Sequence, residues 1–332
     1  MAAIYTTVPE GLVPLLETHL PNSLHVLRRL QFTRFKGGMR PTARVIFASD
    51  ALLSPGAAAS SSSSSSSSPS PSPRHFTVAY LDFGSGKETQ LFMYSTLEDE
   101  AATPGGQGED GQRTEAAELQ IMAALEAVRQ VGREQPDVGG GGNNSAGRAY
   151  PGACLVGTLA TATRDAMARR GATVRPRASY EYEKWLFRVG EVPADGEVEP
   201  AEALPEGATW GPATERDCEV VIARTEIPRQ VKTLMSFPSL VLRLADGTPI
   251  AWSFLGADGS LSSLHTEPPY RCRGYATALA ARLIRTGTAQ YGPDGWAAAD
   301  VAPGNAGSLA MCKRLNGRHA WNCSWNIIQL EE

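Results

Sequence analysis

The residues best suited to chemistry lie between Leu261 and Ala280. A β-rich run, Ser260 to Thr266, leads into Arg271-Cys272-Arg273-Gly274-Tyr275-Ala276, and an apolar-periodic run continues through Thr288. A strand thus feeds a loop that opens a helix. The first N–H groups of a helix have no partners within it, and its dipole places partial positive charge there. A pyrophosphate fits such a site with little rearrangement. Arg271 and Arg273 add cationic charge. Gly274 lets the backbone approach the anion without a Cβ in the way, and Ala276 is the next smallest residue. Arginine and glycine also meet at ordinary strand-to-helix turns, so the surrounding elements have to support an anion cradle.

Those elements are legible from period and punctuation. Ser239 to Leu244, Thr248 to Leu255 and Ser260 to Thr266 read as strands, separated by the turn signals Asp246-Gly247 and Asp258-Gly259. After the helix come a strand from Trp296 to Val301, a helix from Gly307 to Leu315 and a closing strand from Trp321 to Leu330. Ahead of the meander, Asp217 to Ala223 reads as a helix. A second helix is expected with Pro228 near its start and its end near Phe237-Pro238. In the first half, Leu12 to His19 and Leu24 to Leu30 read as short amphipathic helices. Arg44 to Ala48, His75 to Phe83 and Thr89 to Tyr94 read as strands. Glu115 to Val131 carries Leu119, Met122, Ala123, Leu125 and Val128 at helical spacing. Gly157 to Arg169 is also expected to be helical, and the alternation from Tyr180 to Val189 suits a strand near an edge or interface. The fold class is α+β, a mixed sheet flanked by helices.

Composition narrows the function. The chain has 332 residues, of which 42% are apolar, so two domains with real cores are expected. A net charge of −4 speaks against wrapping nucleic acid by electrostatics. No apolar stretch approaches the roughly 20 residues needed to span a bilayer, and the start of the chain lacks the pattern of a signal peptide. A soluble, cytoplasmic protein without nucleic-acid or membrane partners is expected. The cysteines, Cys154, Cys218, Cys272, Cys312 and Cys323, are widely spaced without a Cys-x-x-Cys pair, which argues for reduced thiols rather than a metal site. Low-complexity stretches at 54–73, 103–112 and 135–147 read as disordered insertions, and 193–207 as an interdomain linker. Gly84-Ser85-Gly86-Lys87 fails as a phosphate loop, because Leu81 and Glu88 stand where glycine and Ser or Thr are required.

The pattern Arg271-x-x-Gly274-x-Ala276, placed after a meander strand and followed by a strand and Asn305-Ala306-Gly307-Ser308, resembles the coenzyme A signature of the GNAT superfamily of N-acyltransferases. Phe237-Pro238-Ser239, Asp246-Gly247-Thr248-Pro249-Ile250-Ala251-Trp252, Thr266, Pro269-Tyr270-Arg271 and Trp321-Asn322-Cys323-Ser324-Trp325 together resemble the C-terminal domain of the glycine N-acyltransferase family. Leu20-Pro21-Asn22-Ser23-Leu24 is similar to that family's N-terminal lobe. The resemblance implies two tandem GNAT-like lobes, the N-terminal one degenerate: 1–192, a linker at 193–207, and an acyl-CoA-binding domain at 208–332. It implies acetyl-CoA or another acyl-CoA as cosubstrate, held by Leu264, His265, Thr266, Arg271, Cys272, Arg273, Gly274, Tyr275, Ala276, Asn305 and Ser308. The acceptor is then the amine of a small molecule or amino acid.

The catalytic residues depart from that resemblance. Ser260 stands where the family places an acidic base, and Cys312 where many GNAT enzymes place the tyrosine that protonates the leaving thiolate. An amine must lose a proton to attack a thioester. His265, with an ordinary pKa of about 6.5, suits a base, with Glu267 and Asp300 as rivals. His265 alternates with Leu264, so it can face the other side of the sheet. Cys312 is the candidate acid, against a packed apolar role. Trp252, Trp321 and Trp325 either line an acceptor pocket or pack in a core. The alternative function is an acyl-CoA-binding module with little or no turnover.

Overall fold

The computed structural model describes residues 2–51, 53, 73–101, 110–135, 149–194, 196–198, 200 and 202–331. In chain order the first half forms β1 (Ala2–Tyr5), α1 (Leu12–Glu17), α2 (Leu24–Phe32), β2 (Arg44–Ser49), β3 (Phe76–Leu81), β4 (Leu91–Ser95), α3 (Leu97–Ala101), α4 (Asp110–Glu134), β5 (Ala153–Ala160), α5 (Thr161–Arg169) and β6 (Val174–Pro176). The second half forms β7 (Tyr182–Arg188), β8 (Thr209–Gly211), α6 (Glu215–Ala223), α7 (Val231–Leu234), β9 (Ser239–Arg243), β10 (Pro249–Leu255), β11 (Ser260–Thr266), α8 (Tyr275–Gly287), β12 (Trp296–Val301), α9 (Ala306–Arg314) and β13 (Arg318–Gln329). The order strand, two helices, three strands, helix, strand, helix runs from β8, and the same order runs from β1 except that two helices, α3 and α4, stand between β4 and β5.

The chain divides into two compact units, and neither is continuous in sequence. The first comprises Met1–Leu30, Arg40–Ala178 and Ser324–Glu332; the second comprises Gln31–Met39 and Ser179–Cys323. The division therefore falls at Ser179 rather than in 193–207, which lies inside the second unit. The reason is strand pairing: β7 is zipped to β12 from Trp296↔Arg188 to Val301↔Glu183.

In the first unit, β1 to β4 are antiparallel neighbours and β5 joins β4 in parallel at Leu91↔Val156. Helix α4 buries Ala117, Ile121, Ala124, Leu125 and Val128, at spacings of three and four, against Ile46, Ala79, Leu81, Leu91 and Met93. Each large side chain so buried contributes roughly 1.5–3 kcal/mol before the entropy of ordering is counted. The helix expected over 157–169 is instead a strand to Ala160 and a helix from Thr161. Every residue of β5 is buried, and a run buried on both faces loses the alternation that marks a strand.

In the second unit the order is β13, β7, β12, β11, β10, β9, β8, with β11 and β12 the one parallel pair among them. β7 is thus an interior strand, not an edge. The expected meander gains a fourth strand, β8. Helix α6 is started by a capping box between Thr214 and Asp217. The following helix shrinks to Val231–Leu234, with Pro228 ahead of it. Of the expected loose stretches, 54–72, 103–109 and 136–147 lie outside the described residues, whereas Asp110 to Gln112 opens α4.

Candidate active site

The site is built on β11. Its first residues pair with β12 at Ser260↔Ala298 and Leu261↔Ala299, and the pairing ends there. Beyond Leu261 the parallel strands part and leave a gap. On the other side β11 pairs with β10 at Leu255↔Leu261 and Phe254↔Ser262, then at Trp252↔His265 and Ala251↔Thr266. Two residues of β10 therefore span three of β11, which is a β-bulge. Ser263 supplies it, with φ of 54°, in the left-handed region.

The bulge re-aims everything that follows. Residues directly opposite on paired strands share a face, and so do residues two apart. Phe254 and Trp252 share a face, so their partners Ser262 and His265 share it too. Without the extra residue His265 would point to the opposite face. Ser260, Ala298 and Asp300 belong to that same face through the β11–β12 and β12 registers. The alternation from Leu264 that turns His265 away is thus reversed by one backbone irregularity.

His265 stacks on Trp252 with ring centroids 4.6 Å apart. Its Nε2 lies 3.8 Å from Glu267 Oε2, an ionic contact too long for a hydrogen bond, and is left without a hydrogen-bond partner. Burial lowers its pKa below the ordinary histidine value, Arg271 and Arg224 add to that, and Glu267 opposes it. The ring is therefore neutral at pH 7 and able to accept a proton. Glu267 itself is engaged by Arg224 Nε at 2.9 Å.

The backbone at the gap is rich in free donors. Glu267 N–H donates to Ile250 on β10 at 2.9 Å, so alternation turns the N–H groups of Leu264 and Thr266 the other way, toward the gap. Arg271 Nε reaches back at 2.9 Å to the Thr266 carbonyl. The loop then places Cys272 at φ 62° and Gly274, the residue before α8, at φ 85°. Among the described residues no protein acceptor takes the N–H groups from Cys272 to Thr277. Such a run at a helix start holds an anion well. Arg273 supplies charge at its rim, where Nη1 lies 3.1 Å from Glu202. Tyr275 offers only its N–H, because its ring is buried and its hydroxyl donates to Ala203 at 3.1 Å. Leu264 is half-buried, Cys272 exposed.

The remaining expected residues sit on α9. Asn305 caps the helix by accepting from Ser308 N–H at 3.1 Å; Asn305 is exposed and Ser308 half-buried. Cys312 is fully buried in the core with Met311, Leu315 and Phe187. Burial, and then Glu183, push its thiol up to about 12. That thiol is sealed from solvent and holds its proton tightly. Trp252 is core, whereas Trp321 stands opposite Lys184 on β7. Trp325 belongs to the first unit, where its indole N–H meets Thr89 at 3.3 Å.

A family profile described as the acyl-CoA N-acyltransferase verG N-terminal domain matches residues 2–185, more than half of the chain. The chain belongs to this acyl-CoA N-acyltransferase family. An FR47-like profile matches residues 241–326, which contain β10, the bulged β11, the anion loop and α9. No curated protein matches the chain. Among solved structures, a Drosophila protein of 14% identity covers 97% of each chain at a TM-score of 0.58, a likeness of fold. A tandem GNAT protein from the clavulanic acid biosynthesis pathway (11% identity, 100% and 99% covered, TM-score 0.49) and a GCN5-related N-acetyltransferase from Kribbella flavida (13%, 76% and 85%, 0.44) are weaker likenesses. The fold is GNAT-like, a mixed sheet flanked by helices. In the first unit, Glu98 and Asp99 follow β4 where Arg271 and Arg273 follow β11. Two carboxylates there suit no phosphate.

Lys184 and Asp300 were not singled out together from sequence. Lys184 Nζ lies 2.6 Å from Asp300 Oδ1, and both side chains are buried, 2% and 5% exposed. Cys323 Sγ donates to the same oxygen at 3.4 Å. Asp258, read only as a turn residue, is also buried, and its Oδ1 accepts from the Ser260 hydroxyl at 2.7 Å. No group of three or more His, Cys, Asp or Glu side chains among the described residues is disposed to hold a metal. No helix among them is long and apolar enough to cross a membrane.

Proposed function

We propose that the second unit binds acetyl-CoA or another acyl-CoA and transfers its acyl group to the amine of a small molecule or amino acid. The observation that carries the reading is the β11–β12 gap ending on the run of free N–H groups from Cys272 to Thr277. The pyrophosphate rests on that run, with Arg271 and Arg273 beside it. The pantetheine follows the gap past Thr266 and Leu264 toward Asn305 and Ser308.

The thioester then lies at the bulge, where the Leu264 N–H is a donor for the carbonyl oxygen as it gains charge. The amine nitrogen bonds to the thioester carbon, the carbon–sulfur bond breaks, and coenzyme A leaves as the thiolate. His265 Nε2 takes the proton lost by nitrogen. Cys312 is given no part in proton transfer, because nothing links its buried thiol to the gap.

The test is thiol release from acetyl-CoA over a panel of amines, with parent and His265→Ala compared across pH. The parent rate rises through a pKa below the ordinary histidine value, and the variant loses that limb and about a hundredfold or more in turnover. Coenzyme A binding without turnover on any amine would leave the binding-module alternative instead.

A further inference from the structure

Three buried polar atoms without hydrogen-bond partners fall on one face of the second unit's sheet, Trp321 Nε1, Asp300 Oδ2 and His265 Nε2, together with Lys184 Nζ, which is held by Asp300 Oδ1 alone. Register explains the grouping. Trp321 stands opposite Lys184 and Lys184 opposite Asp300. The three form a row across β13, β7 and β12, with neighbouring Cβ atoms about 4.5–5.5 Å apart. The bulge brings His265 to the same face on the far side of the gap. Burying unpartnered polar atoms is unfavourable, and a ligand that completes them removes the penalty.

The charges say which ligand. Lys184 carries one positive charge. Asp300 and Asp258 carry two negative ones, and both act on Lys184. The cluster therefore lacks one positive charge. Asp300 Oδ1 is used by Lys184 and Cys323, whereas Oδ2 is an open acceptor. It lies on β12 one residue past the last pairing with β11, where the gap begins. The carboxylate missing at Ser260 is present one strand away, two residues beyond Ser260's partner Ala298.

We propose that Asp300 recognises the acceptor: its Oδ2 receives the ammonium of a cationic primary amine, and Lys184 fixes the carboxylate for that task. This rests on the acyl-transfer reading above and adds the residue that selects the acceptor. Binding and orientation belong to Asp300; His265 takes the proton that turns the ammonium into the attacking amine, and the second proton lost by nitrogen passes to the departing coenzyme A thiolate.

The experiment uses the full chain loaded with coenzyme A. Calorimetry measures binding of ethanolamine, glycine and 2-phenylethylamine, and thiol release measures KM and kcat for any that react. In Asp300→Asn, amine affinity and KM for amine weaken tenfold or more while coenzyme A affinity is unchanged. Because that variant strands a buried lysine, the paired variant Lys184→Met/Asp300→Asn, which removes both charges of the ion pair and leaves Asp258 bonded to the Ser260 hydroxyl, is measured beside it and shows the same loss. Unchanged KM for amine in the paired variant, or no amine binding to the parent, overturns the proposal. Amine binding that depends on Asp300 without turnover upholds it and removes the acyl-transfer reading alone.

Discussion

Replacing Lys184 by Met tests whether the ion pair is as buried as its geometry requires. Methionine fills nearly the same volume, so packing survives and the charge does not. Asp300 is then a carboxylate 5% exposed with only the Cys323 thiol for company. Stranding one member of a buried pair is destabilising by about 3–5 kcal/mol. At about 2–4 °C per kcal/mol, the melting point falls by roughly 6–20 °C. Removing both charges, as in Lys184→Met/Asp300→Leu, is about neutral or better by the same physics. Burial alone lowers the Lys184 pKa, but Asp300, Cys323 and Asp258 outweigh it and the net shift is upward. A raised lysine pKa gives stability that is complete below the ordinary value of about 10.4 and lost only as pH climbs through the higher folded value. The gap between parent and single variant is therefore flat from about pH 6 to pH 9. Calorimetric melting of the three proteins is the assay. A single variant that melts within about 2 °C of the parent would show that water reaches the pair and would refute the reasoning.

Gly274→Leu places a side chain at φ 85° over the anion loop; coenzyme A affinity in calorimetry falls tenfold or more, and Gly274→Ala lies between. Cys312→Ala keeps turnover and its pH profile, because the thiol is sealed in the core, but lowers the denaturant midpoint. Stability also depends on His265: its lowered pKa contributes stability that is present above the ordinary value of about 6.5 and fades as pH falls below it. His265→Phe removes that contribution, so the parent's fall in melting point between pH 7 and pH 5 is smaller in the variant.

The loop from Arg271 to Ala276 and the helix start within it were legible because their signal is local: arginine, glycine and a helix start fall within six residues. The meander was legible because Asp246-Gly247 and Asp258-Gly259 punctuate it. What stayed hidden depends on register. Nothing in Ser262-Ser263-Leu264-His265 announces that Ser263 takes a left-handed conformation, yet that one residue decides the face on which His265 points. Lys184 and Asp300 are 116 positions apart, their separation read directly from their numbers, and only the β7–β12 pairing makes them partners. β5 was hidden for the opposite reason: it is buried on both faces, so its apolar run has no period to read.

The division of β13 between the two units has a consequence for synthesis. Residues 324–331 belong to the unit that holds Met1–Leu30, while Arg318–Cys323 belong to the other. A ribosome that has released everything through Cys323 has supplied all the parts of the second unit, but the first still lacks a strand. The unit whose sequence begins to emerge first is thus the last to be completed. Chaperones that guard nascent chains have to cover the first unit's unfinished sheet while more than 140 residues, those between Ala178 and Ser324, are made. A premature stop a few codons before Ser324 harms the half of the protein made longest before it.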